Sequence, residues 1–213
     1  MDQGAAETDL TPEEHLAREL DLFQSVEAGA GAECVRLWET ARPVVVVGRS
    51  TTISDHVNLD ACRADGVDVL RRSSGGGAVV LGPGCLNYAI AVSLVSRPEL
   101  ADVAGSFCAI LGQIAASLGV AGVEIAGHAD LSLHGRKVSG NAQRRGRHAL
   151  LHHGTLLYDF ESRCAVRYLK EPARRPAYRA ERTHAEFLGN LPLSVQLIRA
   201  RLAAGLGRMS GRS

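Results

Sequence analysis

At 213 residues the chain is long enough for one large domain or two small ones, and its 46% apolar content is that of a soluble globular protein. A net charge of +1 and an aromatic content of 4% argue against nucleic-acid binding, which needs a basic excess or stacking platforms. The five cysteines, Cys34, Cys62, Cys85, Cys108 and Cys164, are scattered and contain no C-x-x-C pair, which argues against a disulfide framework or structural zinc and for free thiols in a reducing cytoplasm.

Residues 1–10 read as a disordered tail, small and acidic and without the apolar core of a signal peptide. From residue 11 onward a single domain is expected. Thr11-Pro12-Glu13-Glu14 is a helix start with a cap, a proline at the first helical position and a capping box, and Leu16, Leu20 and Phe23 line one face of a helix to about Ala28. Cys34 to Trp38 and Val44 to Val47 are expected strands, the second a β-branched run suited to burial on both faces. Leu59 to Ala64 reads as a short helix and Val67 to Arg71 as a strand. Ala78 to Leu81 and Leu86 to Val95 read as a hairpin around Gly82-Pro83-Gly84. A long helix is expected from about Glu99 to Leu118, with Phe107, Ile110, Leu111, Ile114 and Leu118 as its apolar stripe. Strands at Val123 to Ile125, Leu131 to Leu133, Arg136 to Gln143 and Ala149 to Tyr158 follow, then helices at Ser162 to Leu169 and Ser194 to Leu206. The mixture predicts an α/β (α+β) fold with a mixed or antiparallel sheet flanked by helices. No apolar run reaches the length of a membrane span.

Three segments carry candidate chemistry. In Arg71-Arg72-Ser73-Ser74-Gly75-Gly76-Gly77-Ala78-Val79, three glycines let the backbone approach a ligand, with N–H groups free to face anionic oxygens and two arginines placed to clamp a phosphate or carboxylate. The segment lacks the P-loop pattern, and Val80 occupies the third glycine position of G-x-G-x-x-G. Lys137, one of only two lysines, lies between Gly135 and Gly140 on an expected strand. A compact ammonium there could stabilise charge between a carboxylate and a phosphate. By strand alternation Ser139, Asn141 and Gln143 should share its face. Asp130 could orient Lys137 or hold a cation. His152 and His153 should face opposite ways, one of them toward a pocket.

These residues resemble the lipoate–protein ligases. Arg71 to Val79 followed by Gly84-Cys85-Leu86-Asn87-Tyr88 looks like their R-R-x-S-G-G-G-A-V…G-N-L-N-Y segment. Gly127 to Leu131 resembles G-x-N-D-L, Gly135 to Ala142 matches G-x-K-[VI]-S-G-[SN]-A, and His153 to Leu157 matches H-G-T-L-L, in the same order and spacing. The chain is accordingly identified as a member of the superfamily of lipoate ligases, octanoyltransferases and biotin ligases. The resemblance implies a two-step reaction in which lipoate and ATP-Mg²⁺ give lipoyl-AMP, which a lysine of an acceptor domain then discharges. It assigns the central catalytic role to Lys137. Substrate and adenylate binding fall to Arg72, Ser74, Gly75, Gly76, Gly77, Ala78, Asn87, Asp130, Ser139, Gly140, Asn141, Ala142, His153, Gly154 and Thr155, with Mg²⁺ near Asp130. The implied partner is a lipoyl acceptor protein, of the glycine-cleavage H type or the 2-oxoacid dehydrogenase E2 type.

Two departures stand out: Cys85 replaces the usual Asn, and Ala129 replaces the Asn before Asp130. Length leaves no room for the accessory domain that many such ligases carry, so a separate small subunit, or catalysis of the transfer half alone, is a further expectation. The enzyme rival is an octanoyl or lipoyl transferase working through a cysteine thioester. Neither segment where such a cysteine sits in those enzymes holds one here, leaving Cys85 and Cys164. A non-catalytic binding scaffold is the other rival. Biotin ligation is disfavoured because the G-R-G-R-x-G segment is missing. The arginines at 174, 175, 179 and 182 suggest either a dock for an acidic acceptor domain or a solvated face.

Overall fold

The computed structural model describes residues 10–173 and 175–207; the expected N-terminal tail up to residue 9, and Arg174, lie outside the described residues. Helix α1 (Pro12–Glu27) opens on the expected capping box, with Thr11 and Glu14 bonding reciprocally. Strands β1 (Cys34–Trp38) and β2 (Val44–Val47), helices α2 (Ile53–His56) and α3 (Leu59–Asp65), and strands β3 (Val69–Arg71), β4 (Ala78–Leu81) and β5 (Cys85–Ser93) follow. Then come α4 (Val103–Leu118), β6 (Val123–Ala126), β7 (Asp130–Leu133), β8 (Arg136–Arg145), β9 (Ala149–Leu157), α5 (Ser162–Tyr168), α6 (His184–Phe187) and α7 (Val195–Leu206). Helix α4 starts after the expected Glu99 because Asp102 caps it through Gly105 N, leaving residues 98–100 as a 3₁₀ turn.

Six strands form an antiparallel sheet in the order β1-β5-β9-β8-β7-β6, and three form a mixed sheet in the order β3-β2-β4, parallel between β2 and β3. The main core lies on one face of the large sheet, where Leu86, Tyr88, Ile90, Leu150 and Leu156 meet the stripe of α4 and Ile198, Leu202 and Leu206 of α7. On the opposite face Phe23 and Val26 of α1 pack on Ala89, Ala91, Ala149 and Leu151. All four valines of β2 are buried, as their β-branched run predicted, because β2 divides between two clusters.

One expectation fails. β4 and β5 are not a hairpin: β4 pairs with β2 in the small sheet, while β5 pairs with β1 and β9 in the large one. The glycine turn carries the chain between sheets. Gly84 has φ +82°, and a β-carbon there would lie 2.1 Å from the carbonyl carbon of Asp159, so only glycine fits the crossing.

Candidate functional site

The glycine segment leaves β3 and returns into β4. Its carbonyls are held by the protein: Gly48 N donates to Gly77 O (3.1 Å), Arg49 N to Ser74 O (2.8 Å) and Thr51 Oγ1 to Gly76 O (2.5 Å). Arg72 folds back over the same turn, donating to Gly75 O (2.8 Å) and Gly77 O (3.0 Å) through Nη2 and to Ser74 Oγ (3.1 Å) through Nε. Burial pulls its pKa down to about 10, which still leaves it charged at neutral pH. Arg71 spends Nη1 on the carbonyls of Gly48, Arg49 and Thr51. The two arginines therefore shape the loop, and of the two it is Arg72 that also lines the cavity where the sequence placed them to clamp an anion. The N–H groups of Gly75, Gly76 and Gly77 donate to nothing in the described structure. This turn is thus donor-rich toward any ligand placed against it.

β8 supplies the lysine by a break in alternation. Ser139 pairs with Leu131, but Lys137 pairs with Ser132, which leaves Val138 as an extra residue without a partner in β7. This bulge moves Lys137 to the face of Gly140 and Ala142. A β-carbon on Gly140 would lie 2.8 Å from both Cε and Nζ of Lys137, so the lysine stem crosses directly over that glycine. Its Nζ stands 2.8 Å from Asp130 Oδ1. The expectation that Ser139, Asn141 and Gln143 share its face is overturned by the bulge. Ser139 is fully buried, Asn141 Nδ2 donates to Ala129 O (2.8 Å) and to Ser139 Oγ (3.1 Å), and Tyr88 donates to Asn141 Oδ1, all on the core side. Asn141 thereby holds the residue before Asp130 in place.

β9 contributes His153, which faces away from its neighbour as expected. His153 Nδ1 lies 2.6 Å from Glu19 Oε2 and its Nε2 lies 2.6 Å from Ser74 Oγ, while Trp38 Nε1 donates to Glu19 Oε1 (2.8 Å). All four residues are buried. Arg72 Nε donates to Ser74 Oγ, so the chain of bonds is consistent if Ser74 donates to Nε2 and Nδ1–H donates to Glu19. Beside it Thr155 donates to Asn87 Oδ1 (3.0 Å), while the buried Asn87 Nδ2 has no protein partner. His152 lies in the main core between the rings of Tyr88 and Phe107.

The segment from Glu171 to Thr183 crosses the site. Tyr178 donates to Asp130 Oδ2 (2.7 Å), Arg182 to Gly135 O (2.9 Å), and Arg179 to Glu171 Oε2 (2.6 Å) while stacking on Phe187. Arg175 pairs with Glu171 and Glu181. Arg175, Arg179 and Arg182 therefore hold this strap together, and Arg179 is buried, where the sequence suggested either a dock for an acidic partner or a solvated face.

These parts enclose a cavity of about 480 Å³. One part of its lining is apolar, with Leu16, Trp38, Val46, Val79 and Leu81; another holds Lys137 and Asp130. Of the sequence candidates, Arg72, Gly76, Gly77, Ala78, Asn87, Asp130, Lys137, Gly140, Asn141, Ala142, His153, Gly154 and Thr155 line it. Ser74 and Ser139 are buried outside the lining, and Gly75 is exposed and does not line it. Sequence reasoning missed Glu19, His56, Lys170 and His184, which also line it, as does Arg179, which it had singled out only as part of a partner dock or a solvated face. Lys170 carried a usable signal, since it is the only other lysine in the chain.

Residues 11–204 match the family of lipoyl protein ligase A/B catalytic domains. The chain belongs to that family. It is 33% identical over 179 residues to the octanoyl-[GcvH]:protein N-octanoyltransferase of Kyrpidia tusciae, covering 76% of this chain and 62% of that one. It is 31% identical over 125 residues to the lipoate–protein ligase LplJ of Bacillus subtilis, covering 58% of this chain and 36% of that one. A solved lipoate–protein ligase A bound with ATP superposes with TM-score 0.76 at 20% identity, over 93% of this chain and 80% of that chain, a likeness of fold. The chain spans 36–43% of the length of several curated relatives.

Within this lipoyl ligase family fold, neither cysteine that could serve the thioester rival lines the cavity. Cys85 is wholly buried and its thiol is pushed up to about 12 by desolvation; Cys164 is raised for the same reason. Asp130 has both carboxylate oxygens engaged, by Lys137 and Tyr178, and no cluster of three metal-binding side chains occurs among the described residues. A resident Mg²⁺ does not fit this donor set. No helix among the described residues is long and apolar enough to cross a membrane.

Proposed function

We propose that the chain activates lipoate with ATP to lipoyl-AMP and passes the lipoyl group to a lysine of a lipoyl acceptor protein, of the H or E2 type. The observation that carries this reading is the Lys137 ammonium, brought across β8 by the bulge and held at 2.8 Å by Asp130 in a cavity that also has an apolar wall. The apolar wall suits an acyl chain, and the glycine N–H groups suit phosphate oxygens. Lys137 would sit against the oxygens of the acyl–phosphate junction. There a fixed ammonium offsets the charge that builds up as carboxylate attacks phosphorus, and again as AMP leaves. It acts as an electrostatic partner, not as a nucleophile. Free thiols suit the reducing cytoplasm in which we place the reaction.

The Kyrpidia tusciae relative keeps transferase chemistry in view, but the nucleophilic thiol that a thioester route needs has no counterpart in the cavity lining. The deciding experiment is intact-mass analysis of a purified lipoyl acceptor domain incubated with the protein and lipoate, with and without ATP-Mg²⁺. ATP-dependent gain of one lipoyl group is expected. Gain only from synthetic lipoyl-AMP would assign the chain the transfer half and call for a separate activating subunit. Gain from an octanoyl thioester without ATP would overturn the ligase reading.

A further inference from the structure

Amide formation on a lysine poses a proton problem. A free lysine amine is mostly protonated at neutral pH and must lose a proton before it can attack. The cavity lining contains several titratable groups, and nearly all are committed. Glu19 and His153 bond each other, with Trp38 and Ser74 on their remaining positions. Asp130 is held by Lys137 and Tyr178, so neither Asp130 nor Lys137 is free. Lys170 donates to Ser54 O (2.7 Å), and Arg179 to Glu171. His184 Nε2 is 3.3 Å from Lys170 O, and burial lowers its pKa.

His56 is the exception. It ends α2, its backbone carbonyl accepts from Lys170 N (2.9 Å), and its ring stands beside Gly77, with Nδ1 3.6 Å from where a β-carbon on that glycine would lie. The imidazole lines the cavity, is half-buried, and has no hydrogen-bond or ion-pair partner among the described residues. Imidazole is also the side chain best matched to exchanging a proton near neutrality.

We propose that His56 is the proton acceptor for the incoming lysine, an inference that rests on the ligase reading above. The acceptor ammonium gives one proton to a neutral His56 nitrogen. The amine nitrogen then attacks the acyl carbonyl carbon and forms the C–N bond. The acyl C–O bond breaks, with its electron pair leaving on the AMP phosphate, and the second amine proton departs with that phosphate.

The test is single-turnover discharge of lipoyl-AMP bound to the full-length protein, comparing a purified lipoyl acceptor domain with hydroxylamine. Hydroxylamine is neutral at pH 7 and needs no base. For His56→Gln and His56→Asn, neither of which removes a native hydrogen bond, transfer to lysine should fall about 100-fold relative to hydroxylamine discharge. Equal losses for both nucleophiles, or none for either, would overturn the assignment while leaving the ligase reading intact. Wild-type protein that discharges lipoyl-AMP to neither nucleophile would remove the reading, and this inference with it.

Discussion

Lys137 Nζ and Asp130 Oδ1 lie 2.8 Å apart, although straight alternation along β8 would put the lysine on the opposite face. The pairing exists because Val138 is bulged out of register, so the bulge and the ion pair are one device. If this ammonium stabilises the acyl–phosphate junction, Lys137→Ala should lower pyrophosphate release by at least about 100-fold, the scale of losing one fixed transition-state contact. Lys137→Arg should not restore it, because a planar fork cannot follow the lysine stem across Gly140. Pyrophosphate release at the wild-type rate in Lys137→Ala would remove the lysine from the mechanism.

Gly140 tests the same geometry without touching the charge. A methyl group there would occupy the space 2.8 Å from both Cε and Nζ of Lys137, so the lysine must swing away. Gly140→Ala should therefore reproduce much of the activity loss of Lys137→Ala with a melting temperature close to wild type. Full activity in Gly140→Ala would show that the ammonium tolerates displacement.

Tyr178 joins the strap to the Lys137–Asp130 ion pair by donating to Asp130 Oδ2. Burial, followed by the Asp130 charge, raises the phenol, so it stays a donor throughout the working pH range. Tyr178→Phe removes a hydrogen bond to a charged group, about 1.5–3 kcal/mol. The expected result is a KM for ATP raised roughly 10-fold or more by a loosened strap, with a smaller change in kcat. A kcat loss at constant KM would instead place the phenol in the chemistry.

What could be read from the sequence follows from what each pattern encodes. The stripe of α4, the cap of α1 and the four valines of β2 are properties of single segments, and all three held. The supposed β4–β5 hairpin failed because local alternation does not say which sheet a strand joins; Gly84 and Asp159 decide that through contact. The face of Lys137 failed because a bulge is a property of two strands in register, not of one. Glu19 was invisible because it reads as an ordinary polar position of an amphipathic helix until His153 and Trp38 are brought to it.

His152 gives a pH-dependent prediction away from the site. It is wholly buried against Tyr88 and Phe107, and desolvation pushes its pKa down to about 3 from 6.5. A histidine whose folded pKa is depressed binds more protons when unfolded. Its contribution is therefore fully present above pH 6.5 and is lost as pH falls from 6.5 toward 3, at up to about 1.4 kcal/mol per pH unit. His184, also lowered by burial, adds to the same acid limb, so removing one histidine should shrink that limb but not abolish it. Denaturant melts between pH 7 and pH 5 should show wild-type stability falling with acid and His152→Leu falling less steeply. The window stays above the ordinary carboxylate range, so Glu33, which burial raises but Arg97 and its hydrogen bonds pull below its usual value, contributes little to the difference. Parallel slopes for wild type and His152→Leu would mean that the buried imidazole takes up its proton in the folded state, against its apolar surroundings.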